Sequence, residues 1–290
     1  MPLTSFTTML RAARDGGYAV GAFNILDYNS ALAVVRAAEQ VDAPVIAQVS
    51  VKTVKLWGFE PIVGWMRQIA GDSPVPVSLH LDHCKEIEFI AQCIAAGWTD
   101  VMIDASSQPF EENLATTQQV TAMAEAAGVG VEAELGEIGG VEDDIIVADA
   151  DAHLADPDKA VRFCEQAGKL AVFAPAIGTA HGLYKGEPKI AFDRIEQIAR
   201  RSGLPIALHG GTGLSDEVFA KAIRLGCAKV NISTQLKHAF IDGFVEYHQQ
   251  TRSYEPVKVL AAQSERMQRE VAERIEQFGG AGKASDASQE

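Results

Sequence analysis

Three histidines, His83, His181 and His209, each follow a short apolar run and stand beside a glycine or an acid. Neutral imidazole suits zinc, and three protein ligands with a fourth position open make a catalytic rather than a structural zinc site. Asp82 immediately precedes His83, and His80 lies two residues before it. In a strand, residues i and i+2 share a face, so His80 and Asp82 point the same way while Leu81 points opposite. This makes Asp82 the candidate acid/base beside a metal and His80 a residue supporting it. Glu132 and Glu134 share a face by the same rule, and Asp104 ends another apolar run; Asp104 and Glu132 join His80 as supporting groups.

A second chemistry is written in glycine. Gly178 and Gly182 flank His181, and His209-Gly210-Gly211-Thr212-Gly213 forms a run of its own. Glycines let backbone N–H groups approach an anion closely and form a concave nest. The run lies just ahead of Asn231-Ile232-Ser233-Thr234, so these segments are read as a phosphate cradle. Gly136 to Asp144 is glycine-rich and acidic and reads as a mobile loop able to bring a carboxylate over the site.

These residues need elements to hold them. Apolar runs recur at Tyr18–Asn24, Pro44–Ser50, Pro76–Leu81, Asp100–Ala105, Gly130–Leu135, Leu170–Ala176, Pro205–His209 and Ala228–Ser233. Between them, segments such as Asn29–Gln40, Glu86–Ala96, Glu112–Ala126, Lys159–Gln166, Phe192–Arg201 and Asp216–Leu225 carry apolar residues at helical spacing. Nearly continuous apolar strands fit a parallel sheet covered by helices. Eight such units predict a (β/α)8 TIM barrel; a doubly wound open sheet is the alternative, but it does not require eight. Barrel sites lie at the C-terminal ends of the strands, where Asn24, Ser50, Asp82, His83, Asp104, Glu134, His209 and Asn231 all fall; Asn24 and Ser50 are thereby expected to contact substrate. A helix at Thr4–Arg14 precedes the barrel and a long one at Pro256–Phe278 follows it. Residues 1–278 are read as one domain, and 279–290, rich in Gly, Ala and Ser, as a disordered tail.

The 290 residues are 47% hydrophobic and 22% charged, an ordinary globular balance. A net charge of −14 argues against nucleic acid or an acidic membrane as partner, so phosphate must be held locally by amides and chosen cations. The four cysteines include no C-x-x-C pair, as expected of reduced cytoplasmic thiols. No signal-peptide pattern or apolar run of spanning length is present, and a soluble cytoplasmic protein is expected.

Taken together, the segments Leu79-His80-Leu81-Asp82-His83 and Val131-Glu132-Ala133-Glu134-Leu135-Gly136, with Gly139, Gly140 and Glu142, resemble the zinc-dependent class II ketose-bisphosphate aldolases. Gly21-Ala22-Phe23-Asn24, Ala180-His181-Gly182-Leu183-Tyr184-Lys185, His209-Gly210-Gly211 and Lys229-Val230-Asn231 extend the likeness over roughly residues 1–275. The resemblance implies His83, His181 and His209 as zinc ligands, with Glu134 near or exchanging at the metal. It implies Asp82 as the group handling the C4 hydroxyl proton and Glu142 as the group moving the proton at the nucleophilic carbon. Gly182, Gly210, Gly211, Thr212, Asn231, Ser233 and Thr234 would hold the dihydroxyacetone-phosphate half, with a monovalent cation (Na+ or K+) near its phosphate. A homodimer or homotetramer acting on a small sugar phosphate is expected. Class I aldolases instead use a Schiff-base lysine, and the sixth apolar run, Leu170 to Pro175, has none.

Two departures bear on the substrate. Fructose-bisphosphate members carry Asp two residues after the last-strand Asn; this chain has Ser233, like tagatose-type members with a small residue there. Many members read D-P-R in the C-terminal segment, where this chain reads Tyr254-Glu255-Pro256-Val257-Lys258. Competing readings are an aldolase for a ketose 1-phosphate, a zinc hydrolase on the same fold, a metal-free phosphate-binding barrel, and a non-catalytic partner subunit. The hydrolase would show H-x-H where this chain has Phe23-Asn24, the metal-free barrel leaves three histidines idle, and a non-catalytic partner would have lost Asp82 or a histidine.

Overall fold

The computed structural model describes residues 3–136, 138–142, 145–147, 154–182 and 188–288. Eight strands close into a parallel barrel: β1 (Val20–Asn24), β2 (Val45–Ser50), β3 (Val77–Cys84), β4 (Asp100–Ile103), β5 (Gly130–Leu135), β8 (Val172–Pro175), β10 (Ile206–Leu208) and β11 (Cys227–Ile232). They follow the chain around the ring, and the seam pairs β1 with β11, Ala22 opposite Asn231. Each apolar run identified in the sequence overlaps one of these strands; β3 continues to Cys84, past the expected end at Leu81, and β11 begins one residue before the expected start, at Cys227. Between them run α2 (Tyr28–Gln40), α3 (Val51–Trp57), α4 (Phe59–Asp72), α5 (Ile87–Ala96), α6 (Phe110–Ala127), α7 (Pro157–Gln166), α8 (Phe192–Ser202) and α9 (Asp216–Arg224). The helices α10 (Thr234–Thr251) and α11 (Pro256–Gln277) follow the last strand. Local chemistry starts them: Asp27 and Ser30 make a reciprocal capping box on α2, and Asp156 caps α7 ahead of Pro157.

Two apolar regions result. One lies between strands and outer helices and includes Val34, Ile62, Leu81, Phe163, Phe173 and Phe219. The other fills the lower barrel, where α1 (Phe6–Gly16) inserts Phe6, Met9, Leu10 and Ala13 against Val20, Ala22, Ile46, Val172 and Ala207. Burying the larger of these side chains, such as Phe6, Met9 and Leu10, stabilises the fold by about 1.5–3 kcal/mol each. Asp100 at the start of β4 ties this plug down. Its carboxylate accepts from Ser5 Oγ at 2.6 Å, from Phe6 N at 2.9 Å and from Ser78 Oγ at 2.6 Å. Burial nevertheless outweighs these bonds and pushes the Asp100 carboxyl up to about 6.

Three expectations are corrected. The helices α3, α4 and α10 had no counterpart among the segments picked out by periodicity. The acidic segment after β5 was expected as a mobile loop; instead β6 (Gly139–Glu142) pairs antiparallel with β7 (Ile145–Val147) and parallel with β9 (Ala180–His181). The tail expected to be disordered from 279 is packed through Ala287. Gly282 N donates to Val41 O at 2.8 Å, Ala284 N donates to Asp42 O at 3.0 Å, and Ala287 is fully buried beside the plug. Small residues let this segment lie flat on the barrel, and its backbone groups find partners there. Residues 289 and 290, like His153, Tyr184 and Lys185, lie outside the described residues. Among the described residues no helix is long and apolar enough to cross a membrane.

Candidate metal and catalytic site

The site begins with an irregularity in β3. Strand alternation that points His80 and Asp82 inward would point His83 outward. Between Leu81 and Cys84 the register with β4 shifts, and His83 takes a φ of 43°, the left-handed region a non-glycine residue enters only at a cost. Such a bulge re-aims a side chain. Asp82 and its neighbour His83 therefore both serve the site.

Histidines 83, 181 and 209 arrive from three elements, and one ring nitrogen of each lies within 4.8 Å of the others. His83 sits on the bulge, His181 on β9, and His209 just after β10. Their ring orientations are held from outside. His83 Nδ1 lies 2.9 Å from Asp104 Oδ2, and His209 Nε2 lies 2.6 Å from Glu132 Oε1. Asp104 in turn accepts from Ser106 Oγ at 2.7 Å. With those outer nitrogens engaged, the inner ones, His83 Nε2 and His209 Nδ1, face each other at 2.9 Å. Two imidazole lone pairs at that distance call for a shared cation. Glu134 adds Oε2, buried and without a hydrogen-bond partner among the described residues, 3.7 Å from His209 Nδ1. His83, Asp104 and Glu134 form a second overlapping group of possible ligands. This donor set fits a divalent metal, with carboxylates orienting the imidazoles from behind.

The electrostatics follow the same division. Burial works to raise the Asp104 and Glu132 carboxyls. His83 outweighs it at Asp104, and Lys229 and His209 outweigh it at Glu132, holding both below the usual carboxylate range. At Glu134 burial, then the charge of Asp104, outweigh the opposing His83 and Ser106 and push the carboxyl well above that range. For His181, burial and then the neighbouring His83 and His209 disfavour the imidazolium, keeping the ring neutral as a ligand requires. His80 is likewise neutral, lowered to about 3 by burial and Lys229; it packs its ring 5.1 Å from that of Phe6 in the plug and lies 3.5 Å from Glu132.

Asp82 is buried and receives donors on both oxygens, Asn24 Nδ2 at 2.8 Å and Asn231 Nδ2 at 3.5 Å. Burial would raise its carboxyl, but His83 and Lys229 hold it below the ordinary value. Asn24 thus acts on Asp82 directly. Ser50 pairs in register with Asp82 and uses its Oγ to cap α3. Gly210 has a φ of 65°, and a Cβ there would collide with the carbonyl of Ala180, so glycine is required to bring the His209 loop against β9. Gly211 packs on the Asn231 backbone, Thr212 is buried, and Gly182 follows β9. Ser233, just past β11, is buried with its Oγ unpartnered among the described residues, and Thr234 opens α10. Glu142 ends β6, the strand that pairs Gly140 with His181.

Three residues were given no role by the sequence reading. Lys229 and Gln48 are fully buried in the barrel and join the groups just described, and Thr179 holds a buried Oγ1 without a partner among the described residues. A signal existed for Lys229: a lysine two residues before Asn231 inside an apolar run shares its inward face.

The model of the family described as fructose-bisphosphate aldolase class-II matches residues 4–283. The chain is 40% identical over 288 residues to a probable fructose-bisphosphate aldolase of Bacillus subtilis, covering 98% of this chain and 100% of that one. It is 39% identical over 285 residues to the sulfofructosephosphate aldolase of Alkalicoccus urumqiensis, covering 98% and 99%. Among solved structures, the YdjI aldolase from Escherichia coli K12 superposes with a TM-score of 0.86 at 31% identity, covering 97% of this chain and 99% of that one. A family match spanning nearly the whole chain, on a barrel whose strand ends gather three histidines around one point, leaves no other assignment: this chain belongs to the class-II fructose-bisphosphate aldolase family and is a lyase.

Proposed function

We propose that the protein catalyses zinc-dependent, reversible aldol cleavage of a ketose 1,6-bisphosphate to dihydroxyacetone phosphate and an aldehyde such as glyceraldehyde 3-phosphate. The observation that carries this reading is the convergence of His83, His181 and His209, two of them oriented by buried carboxylates, next to an Asp82 that receives two amide donors. When bound, zinc supplies a fixed Lewis acid for the negative charge that breaking the C3–C4 bond leaves behind. Asp82 takes the C4 hydroxyl proton in cleavage and returns it in condensation. Its two oxygens are held by amides, so the carboxylate keeps one orientation through both steps. Glu142, on the strand paired with that of His181, moves the proton at the nucleophilic carbon. Thr179 and Ser233 offer buried hydroxyls and the Gly210–Gly211 turn offers amides to the dihydroxyacetone-phosphate half.

Ser233 favours a tagatose-type over a fructose-type substrate. A short hydroxyl reaches a different set of diol atoms from the carboxylate of Asp, and a polar contact made to only one C4 epimer discriminates by about 1–3 kcal/mol. The relative named for sulfofructosephosphate, together with the missing arginine after Tyr254, supports a second reading in which the far end of the ketose carries another anionic group. Metal analysis and cleavage of tagatose 1,6-bisphosphate, fructose 1,6-bisphosphate, a 6-sulfonated ketose 1-phosphate and a plain ketose 1-phosphate, compared by kcat/KM, decide between them. Preference for fructose 1,6-bisphosphate would remove the role given to Ser233; no cleavage of any of the four by zinc-loaded protein would reject the activity.

A further inference from the structure

Inside the barrel the polar groups are arranged around one cation. Lys229 is fully buried, and its Nζ lies 2.8 Å from Glu132 Oε2, 2.6 Å from Asn231 Oδ1 and 3.4 Å from Gln48 Oε1. An ammonium has donors and no acceptor, so every group that touches it must turn an oxygen inward. That requirement propagates in two directions.

Toward the metal, one oxygen of Glu132 is committed to Lys229 and the other accepts from His209 Nε2 at 2.6 Å. The ring proton is thereby held on Nε2, and the Nδ1 lone pair is left facing His83 and Glu134. Toward the acid/base, Asn231 has committed its oxygen, so its Nδ2 faces Asp82. Gln48 has committed its own, so its Nε2 donates to Asn24 Oδ1 at 2.7 Å. Asn24 then has only Nδ2 to offer, and it donates to Asp82 at 2.8 Å. Three amides and one imidazole could each be satisfied in the opposite sense by themselves; the cation removes that freedom.

We propose that Lys229 is a positioning residue that sets the direction of every hydrogen bond linking the metal-ligating His209 to Asp82. The proposal rests on the zinc aldolase reading of this site and adds to it a residue touching neither metal nor substrate. It differs from a purely structural ion pair with Glu132, which would stabilise the barrel without affecting how Asn231, Gln48 and Asn24 are turned.

The test compares the wild type, Lys229→Met, Glu132→Gln and the double variant. Zinc affinity is measured by equilibrium competition with a chelator, Tm by melting, and kcat and KM at saturating zinc. Lys229→Met is expected to weaken zinc by about 10–100-fold, as loss of groups behind a metal ligand does. At saturating zinc its kcat is expected to fall by about 10²-fold with KM nearly unchanged, because binding survives while the acid/base is misdirected. Adding Glu132→Gln removes the stranded carboxylate, so Tm returns toward the wild-type value while kcat does not. Recovery of kcat in step with Tm, or a zinc-saturated Lys229→Met as fast as wild type, would overturn the proposal. Should Lys229→Met not fold, the double variant, which buries no unpaired charge, is measured in its place: a kcat near wild type overturns the proposal and a loss of about 10²-fold supports it. Wild-type protein that binds zinc without cleaving any ketose phosphate would instead overturn the functional reading, and zinc affinity would still report on Lys229.

Discussion

The lower and upper halves of the barrel interior are built from opposite materials. Below, Phe6, Met9, Leu10 and Ala13 of α1 meet alanines and valines of the strands, with a single carboxylate, Asp100, spent on anchoring the plug. Above, Gln48, His80, Glu132 and Lys229 occupy positions where barrels ordinarily place Val, Ile and Leu, and all four are fully buried. The lower half gains stability from burial and tolerates no chemistry. The upper half gives up that gain, and its groups are held instead by mutual hydrogen bonds that leave little choice of orientation. Stability and reactivity are therefore separable along the barrel axis.

The separation can be broken at four places. His209→Ala, at the top, should lose bound metal and bring turnover to background while the far-ultraviolet circular dichroism stays intact; unchanged metal content would show that the histidines do not form the ligand set. Asp82→Asn should keep the metal and lower kcat by about 10²–10⁴-fold, the range of general acid–base groups. Less than a tenfold loss would move the proton-handling role elsewhere. Leu10→Ala, at the bottom, should cost about 2–5 kcal/mol of stability in urea melts yet leave kcat in the folded protein near wild type. A matching fall in kcat would mean that the halves are coupled.

The smallest expected effect belongs to Asp100. Its folded-state carboxyl is raised to about 6 from an ordinary value of 3.8, so the proton is held more tightly in the folded protein. The associated stability is present below the ordinary value and is lost as pH rises through about 6. Asp100→Asn mimics the protonated group, and the difference in unfolding free energy between the two proteins should change by roughly 2 kcal/mol between pH 4 and 7. Parallel pH profiles would remove Asp100 from the account.

The same contrast explains what the sequence disclosed. Strands buried on both faces read as nearly continuous apolar runs, so the eight barrel strands were visible as eight runs. The polar positions His80, Glu132 and Glu134 stood out inside those runs, and Asp82 just past one, because a strand has few reasons to bury charge. Lys229 was read as part of the Lys229-Val230-Asn231 segment but given no role, because a single lysine in an apolar run looks like an edge of the pattern and two of its partners lie on other strands. The bulge at His83 depends on registry with β4, which spacing within β3 does not carry. In α10, Ile241 and Phe244 are exposed while Leu236 and Ala239 are buried, so apolar residues on both faces blur the helical period. The pairing of β6 with β7 was hidden behind glycines and acids, and the packed segment after Phe278 behind Gly, Ala and Ser, which suit a close backbone approach as well as a free chain.

The seam between β1 and β11 has a consequence in time. The histidines and Glu134 sit on or beside β3, β5, β9 and β10, none of which borders the seam on both sides, whereas Asp82 receives one amide from β1 and the other from β11. The contacts that close the ring join the parts of the barrel furthest apart in the chain, and such pairings form slowly. A chain refolding in the presence of zinc should therefore take up the ion before it recovers turnover. The interval between the two events measures how long the ring stays open.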